Sequence, residues 1–245
     1  MERLDKLIAA TGRFSRREVK ALVRSGRVTV DGRPAARPEE KADPETACIA
    51  VDGEQILWRR ATYIMMNKPA GLLSATRDGR GDGTVLGLLP PELRRQGLFP
   101  VGRLDRDTVG LLLLTNDGGL AHDLLSPKRH VDKSYFVRVA GTIVPADQAA
   151  FAGGLVLGDG LRCLPAALAP GETADTAFVT LHEGKFHQIK RMFAARGKPV
   201  LYLRRISMGP LSIDETLAEG EYRYLSEEET ALLQDFRHGS SQSSK

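Results

Sequence analysis

The chain has 245 residues, 42% of them hydrophobic and 27% charged, and a net charge of +4, which is material for one large domain or two smaller ones. No run approaches the roughly 18 apolar residues of a membrane span, and the opening MERLDKLIAA lacks the apolar centre of a secretory signal. Two cysteines, Cys48 and Cys163, supply neither a metal-ligand cluster nor a disulfide framework, so a reducing cytoplasm is the expected setting and no membrane is expected as partner.

The charge is lopsided. Residues 1–37 hold ten Lys or Arg against four acidic residues, a net +6, while the other 208 residues hold 25 against 27. Within this basic stretch Leu4, Leu7 and Ile8 fall at helical spacing, and so do Val19, Leu22 and Val23. Ser15 followed by Glu18 predicts a capping box opening the second helix, and Gly26 closes it. RVTVDG then predicts a strand with a turn at Asp31 and Gly32. Arg16, Lys20, Arg24 and Arg27 recur every three or four residues, with Arg3, Lys6 and Arg17 nearby, and form a cationic stripe suited to a phosphate backbone. From charge alone, the stripe is equally a solvated helix face.

RLDKLIAA, SRREVKALVRSGRVTVDG and the later VDG resemble the S4 domain, a small α/β RNA-binding module, over about the first 55 residues. The resemblance implies binding to structured RNA and no chemistry. RPAARPEEKADPET reads as loop, and the linker to a second region is expected around residues 55–61.

The second region carries four stretches of interest. NKPAGLLSAT (67–76) and RDGRGDGT (77–84) join a strand to a Gly-rich loop that matches neither a phosphate loop nor a dinucleotide fingerprint, and a flexible loop beside a site is expected. GRLDRDTVGLLLLTNDG (102–118) sets Asp105, Asp107, Arg103 and Arg106 against the run Leu111–Leu114, which is short enough for a strand covered on both faces. In an extended backbone Asp105 and Asp107 point to one side, and two close carboxylates repel unless cations answer them. Alone, the segment reads as a solvated turn held by local ion pairs. KSYFVRVAG (133–141) alternates, so Tyr135, Val137 and Val139 share an inward face; by itself Tyr135 reads as a core tyrosine. EGKFHQIKRMFAARG (183–197) reads as a helix with Phe186, Ile189 and Phe193 on one stripe and Lys190 inside that apolar arc. A lysine there either snorkels from the edge or is answered by an anion, and Asp105 is the inward anion on offer.

Together these stretches resemble a pseudouridine synthase, in the branch typified by the small-subunit ribosomal RNA enzyme RsuA. GRLDRDTVGLLLLTND resembles the motif bearing the family's catalytic aspartate, KSYFV the motif with its active-site tyrosine, and EGKFHQIKRMFAARG the motif with its basic residue. YIMMNKPAG and MGPLSIDETLAEGEYRYLSEEE also fit, and the resemblance covers residues 1–235. Carried over by position, it implies that Asp105, Tyr135 and Lys190 are catalytic. Arg103 corresponds to a residue that enters the helix where the target base has left. The implied fold is α+β: an S4 module at 1–57, a synthase domain at 61–235 with a mixed, largely antiparallel sheet flanked by helices, and a disordered polar tail at 236–245.

The implied reaction breaks the C1′–N1 bond of a uridine, turns the base and joins C5 to C1′, without nicotinamide, metal or other cofactor. Asp105 would attack C1′ or remove the C2′ proton, held in a dry cleft that takes a flipped uridine, with Lys190 as its chief counter-charge. The expected partner is ribosomal RNA, small-subunit (16S) RNA or an assembling ribonucleoprotein particle, and the expected state is a monomer. HQIKRMFAARG and the compact carboxyl end favour the small-subunit branch over sister enzymes of large-subunit RNA. Two readings from other classes are a non-catalytic RNA-binding or assembly factor, which leaves Asp105, Tyr135 and Lys190 unexplained, and a metal-dependent nuclease using Asp105 and Asp107, which lacks a completing ligand cluster.

Overall fold

The computed structural model describes residues 1–58, 60–79, 81, 83–126, 129 and 131–239. These fall into two compact units, one formed by Met1–Thr62 with Leu86–Phe99, the other by Tyr63–Val85 with Pro100–Lys245. The stretch Leu86–Phe99, which the sequence reading gives to the second region, thus packs with the first.

In the first unit, β1 (Glu2–Arg3) leads into α1 (Leu4–Ala10) and α2 (Arg16–Arg24), followed by β2 (Val28–Val30), β3 (Arg33–Pro34), β4 (Lys41–Ala42), β5 (Ile49–Val51) and β6 (Glu54–Gln55). The capping box forms as expected: the Glu18 amide donates to Ser15 Oγ at 3.3 Å, and the Ser15 amide donates to Glu18 Oε2 at 2.6 Å. Asp31 and Gly32 both adopt positive φ, 51° and 77°, which closes the β2–β3 hairpin. The apolar faces of both helices, with Leu4, Leu7, Ile8, Val19, Leu22 and Val23, share one core with Val28, Ile49, Val51 and Ile56 of the sheet β3-β2-β5-β6. A later helix of the same unit, α3 (Pro91–Arg95), approaches Gly12 so closely that a Cβ there would lie 1.8 Å from the Glu92 carbonyl oxygen.

The second unit is built on β7 (Tyr63–Lys68), β8 (Phe99–Pro100, where the chain re-enters it), β9 (Val109–Thr115), β10 (Lys133–Val139), β11 (Ala167–Pro170), β12 (Thr176–Leu181), β13 (Val200–Met208), β14 (Leu211–Ser212) and β15 (Tyr222–Tyr224). Its main sheet runs β11-β12-β10-β13-β9-β7-β15; only β13 and β9 pair parallel, so the sheet is mixed and largely antiparallel as expected. All seven residues of β9 are buried, which answers to a strand covered on both faces. At Gly110 (φ 99°) β13 passes so close that a Cβ would sit 2.3 Å from the Arg205 carbonyl oxygen.

Four helices complete the unit: α4 (Gly118–Leu125), α5 (Pro145–Gly153), α6 (Gln188–Ala195) and α7 (Glu227–Gly239). Asp117 caps α4 by accepting from the Leu120 amide at 3.0 Å. α6 packs on β13, α5 on β11, and α7 on α4 and β14. Among the described residues, no helix is long and apolar enough to cross a membrane. Because α7 runs through Gly239, residues 236–239 of the expected tail are helical; 240–245 lie outside the described residues.

Candidate active site

The loop preceding β9 is held from below by Lys68. Its ammonium, fully buried at the end of β7, donates to the carbonyls of Pro69 (2.9 Å), Arg106 (3.2 Å) and Thr108 (2.9 Å). Burial pushes the Lys68 pKa down to about 8, against the pull of Asp107 and Asp105. Ser74 exchanges hydrogen bonds with both the amide and the carbonyl of Leu104, each at 3.1 Å, and the Gly71 amide donates to the Arg106 carbonyl at 2.8 Å. The NKPAGLLSAT stretch therefore forms the backing of the Asp105 loop. Lys68 and Ser74 are absent from the sequence-predicted site; the signal for Lys68 is a lysine closing a strand that opens on the apolar run Ile64, Met65 and Met66.

The other wall comes from α6 and the loop before it. Lys190 Nζ lies 2.9 Å from Asp105 Oδ2 and also bonds Asp107 Oδ1, so the two carboxylates converge on one ammonium. Burial acts to lower the Lys190 pKa, but the bonds to Asp107 and Asp105 outweigh it and the net shift is upward. For Asp107, burial raises and Lys190 lowers, with the lowering larger. A lysine answered by an anion is thus the geometry found, and the snorkelling alternative is not.

The helix itself begins later than expected. His187 takes a left-handed conformation (φ 50°, ψ 34°) at the cap, so Phe186 precedes α6 and leaves the apolar stripe, which is carried instead by Ile189, Met192 and Phe193. His187, which sequence reasoning missed, brings Nε2 to 3.6 Å from Asp105 Oδ1. That is a charge contact when the ring is protonated, beyond hydrogen-bond reach.

Between these walls lies a cleft of about 80 Å³, lined by Arg103, Leu104, Asp105, Thr108, Tyr135, Leu203, His187, Ile189 and Lys190 among others. Tyr135 is buried on β10 as the alternation predicts, and Arg103 is exposed at the cleft. Of the sequence-predicted residues, then, Asp105, Tyr135, Lys190 and Arg103 are brought together. The cleft combines an aromatic and aliphatic wall with one carboxylate whose Oδ2 faces the Lys190 ammonium and whose Oδ1 faces the His187 ring. That arrangement suits a planar base beside a nucleophile or general base.

In the first unit the predicted RNA-binding residues divide. Arg3 pairs with Asp5 (2.9 Å) and Glu39 (3.3 Å), Lys6 with Glu2 (2.8 Å), and Arg27 with Asp52 (2.5 Å). Arg16, Arg17, Lys20 and Arg24 are exposed on α2 and make no ion pair among the described residues. Arg3, Asp5, Arg16, Arg17 and Lys20 line a groove of about 440 Å³.

The RNA pseudouridylate synthase family matches residues 62–195, and the S4 domain family matches residues 2–47. An uncharacterized RNA pseudouridine synthase of Bacillus subtilis is 49% identical over 95% of this chain and 98% of its own. The ribosomal small subunit pseudouridine synthase A of Vibrio cholerae is 42% identical over 94% and 99%. A crystal structure of a pseudouridylate synthase, 35% identical, superposes with a TM-score of 0.66 over 95% of this chain and all of that one. On agreement that spans almost the whole chain in both sequence and fold, this protein belongs to the RsuA-like RNA pseudouridine synthases, with an S4 domain ahead of the synthase fold.

Proposed function

We propose that this enzyme isomerises a uridine of small-subunit ribosomal RNA, with Asp105 as the essential group. The observation that carries the reading is the Asp105–Lys190 contact at the edge of a cleft walled by Tyr135. Support for the target comes from the Vibrio cholerae relative named for the small subunit.

In this reading a uridine leaves its stack and enters the cleft. Asp105 either attacks C1′, displacing N1, or removes the C2′ proton as N1 departs. The base turns in the pocket and C5 bonds to C1′, with release of the Asp105 carboxylate from C1′ in the first route or return of the proton to C2′ in the second; the proton on C5 is then lost, and N1 gains one. Lys190 holds Oδ2 of Asp105 throughout, so the carboxylate meets the ribose already oriented. Tyr135 stacks on the base and assists loss of the C5 proton, and Arg103 fills the space the uridine has left. The exposed arginines and lysine of α2 hold phosphates. The enzyme works as a cytoplasmic monomer, and its domains are taken as 1–57 and 61–235.

The test is tritium release from small-subunit and large-subunit ribosomal RNA transcripts carrying 5-tritiated uridine, with pseudouridine mapping of both. Release from small-subunit RNA by the wild type, and none by Asp105→Asn despite intact folding and RNA binding, is expected, because the amide is neither nucleophile nor base. Wild-type turnover by Asp105→Asn would refute the role of Asp105. A new pseudouridine in large-subunit RNA alone would move the target.

A further inference from the structure

Phe186 is 73% exposed, yet it does not hang from a loose loop. The Lys185 amide donates to Gln188 Oε1 at 2.9 Å, and the Gln188 amide returns to the Lys185 carbonyl at 3.1 Å. Gln188 is itself buried, and its side-chain amide donates to Glu183. On the other side the Arg191 amide donates to the His187 carbonyl at 2.9 Å. The phenyl ring stacks on the imidazole of His187 with centroids 3.8 Å apart and planes 19° from parallel. The backbone there is in the left-handed region at a residue that is not glycine, a conformation that persists only when its surroundings impose it.

An apolar ring displayed by a braced, strained turn gains nothing for folding, since burial is what makes an aromatic stabilising. Its location gives it a use. The imidazole beneath it lines the cleft and brings Nε2 to 3.6 Å from Asp105 Oδ1, so Phe186 stands one stacked ring away from the reacting carboxylate. A ring stacked on a cleft-lining residue is within reach of the nucleotide next to one delivered into that cleft. Unpaired bases stack on exposed aromatic side chains whatever their identity, because every base has a π face.

We infer that Phe186, backed by His187, is a stacking platform for an unpaired nucleobase adjacent in sequence to the target uridine. The inference rests on the RNA-modifying reading of the cleft and extends it to a flanking subsite. The subsite requires its RNA to be locally unpaired around the target.

Two measurements test it. In Phe186→Trp, a decauridylate at up to millimolar concentration should quench indole fluorescence beyond the change shown by Trp58 in the parent, and a decamer of abasic ribose phosphate of equal charge should not. The same quenching is expected in an Asp105→Asn background, so this readout stands apart from catalysis. On small-subunit ribosomal RNA, Phe186→Ala should raise KM about five- to hundredfold with kcat within about twofold. Phe186→Tyr should restore KM, and Phe186→Leu, equally apolar without a π face, should not. Absence of decauridylate quenching, equal quenching by the abasic decamer, or rescue by leucine would each overturn the proposal. Quenching without any isomerisation by the wild type would instead retain the platform and discard the synthase reading of this cleft.

Discussion

Lys190 Nζ stands 2.9 Å from Asp105 Oδ2 and simultaneously bonds Asp107, so one ammonium bridges two carboxylates that lie two residues apart. The three groups form a unit with net charge −1, in which removing the lysine strands two anions at once. The ion pair also determines its own pH range. Because the Lys190 pKa is raised above its ordinary value, the ammonium is not what limits the pair below about pH 10.4; on the alkaline side the pair is lost as pH rises past the raised value.

Lys190→Met should therefore lower the single-turnover rate on the order of a hundredfold, the scale seen when one preorganised electrostatic group is removed. RNA affinity should change much less. Lys190→Arg keeps the charge and should stay within about tenfold, limited by the room a planar guanidinium requires. Wild-type rates should show no alkaline limb from this pair below about pH 10. Equal losses in Met and Arg variants would mean that shape, and not charge, is what Lys190 contributes.

Lys68 should leave a signature in stability. Its folded pKa of about 8 lies below that of the unfolded chain, so between about 8 and 10.4 the unfolded state holds a proton the fold has shed. Stability relative to Lys68→Met should then rise with pH across that window, by on the order of 3 kcal/mol. Urea unfolding of both proteins at intervals from pH 7 to 10.5 measures the difference. Since the ammonium ties three carbonyls around the Asp105 loop, Lys68→Met should also lower kcat in protein that remains folded.

What the sequence reveals and what it hides divide along a physical line. Tyr135 follows from two-residue alternation, the buried strand β9 from its apolar run, and the Asp105–Lys190 pair from the cost of an unanswered lysine beside an apolar stripe. Those are periodic or energetic constraints that act within one segment or across one obvious pair. Phe186 escapes because a single left-handed residue, His187, ends the helical register, and nothing in KFHQIK announces that conformation. Arg27 has a partner that its own segment does not show. Spacing places it on the cationic stripe, but Asp52, 25 residues later, answers its charge. Lys68 looks like part of a loop motif until the carbonyls of residues about forty positions away converge on it.

Asp147 should set the acid stability of the second unit. It is fully buried on α5, accepts from the Val144 amide and Arg196 Nε at 2.9 Å each, and bonds Lys198. Burial acts to raise its pKa, but Lys198, the Val144 amide and Arg196 bring it down to about 2. A depressed carboxyl pKa contributes stability that is present above the unfolded value of about 3.9 and is lost as pH falls toward 2, on the order of 2 kcal/mol here. Asp147→Asn should cost about 3 kcal/mol at pH 7, because two cations lose their anion. The gap to wild type should narrow below pH 3. Since Arg196 and Lys198 follow α6, activity should fall in parallel as the end of the Lys190 helix loosens.

The RNA anchor is best tested by charge and not by truncation. Deleting the first 55 residues would expose α3 and its surroundings, since Gln96 Nε2 donates to the Thr11 carbonyl at 2.9 Å and Arg95 to the Gly12 carbonyl at 3.2 Å. A triple variant, Arg16→Gln, Arg17→Gln and Lys20→Gln, changes only exposed groups on α2 and should leave the melting temperature unaltered. Each phosphate that is no longer neutralised should reduce the slope of log K against log salt by about 0.7 to 0.9, so a decrease of about two is expected for ribosomal RNA if these three residues hold phosphates. Arg27→Gln, which removes a cation already paired with Asp52, should reduce the slope by much less. Turnover at saturating RNA should persist in all of them, since none lies in the cleft. A slope unchanged in the triple variant would assign the anchoring to other cations of the chain and leave the α2 stripe as a solvated face.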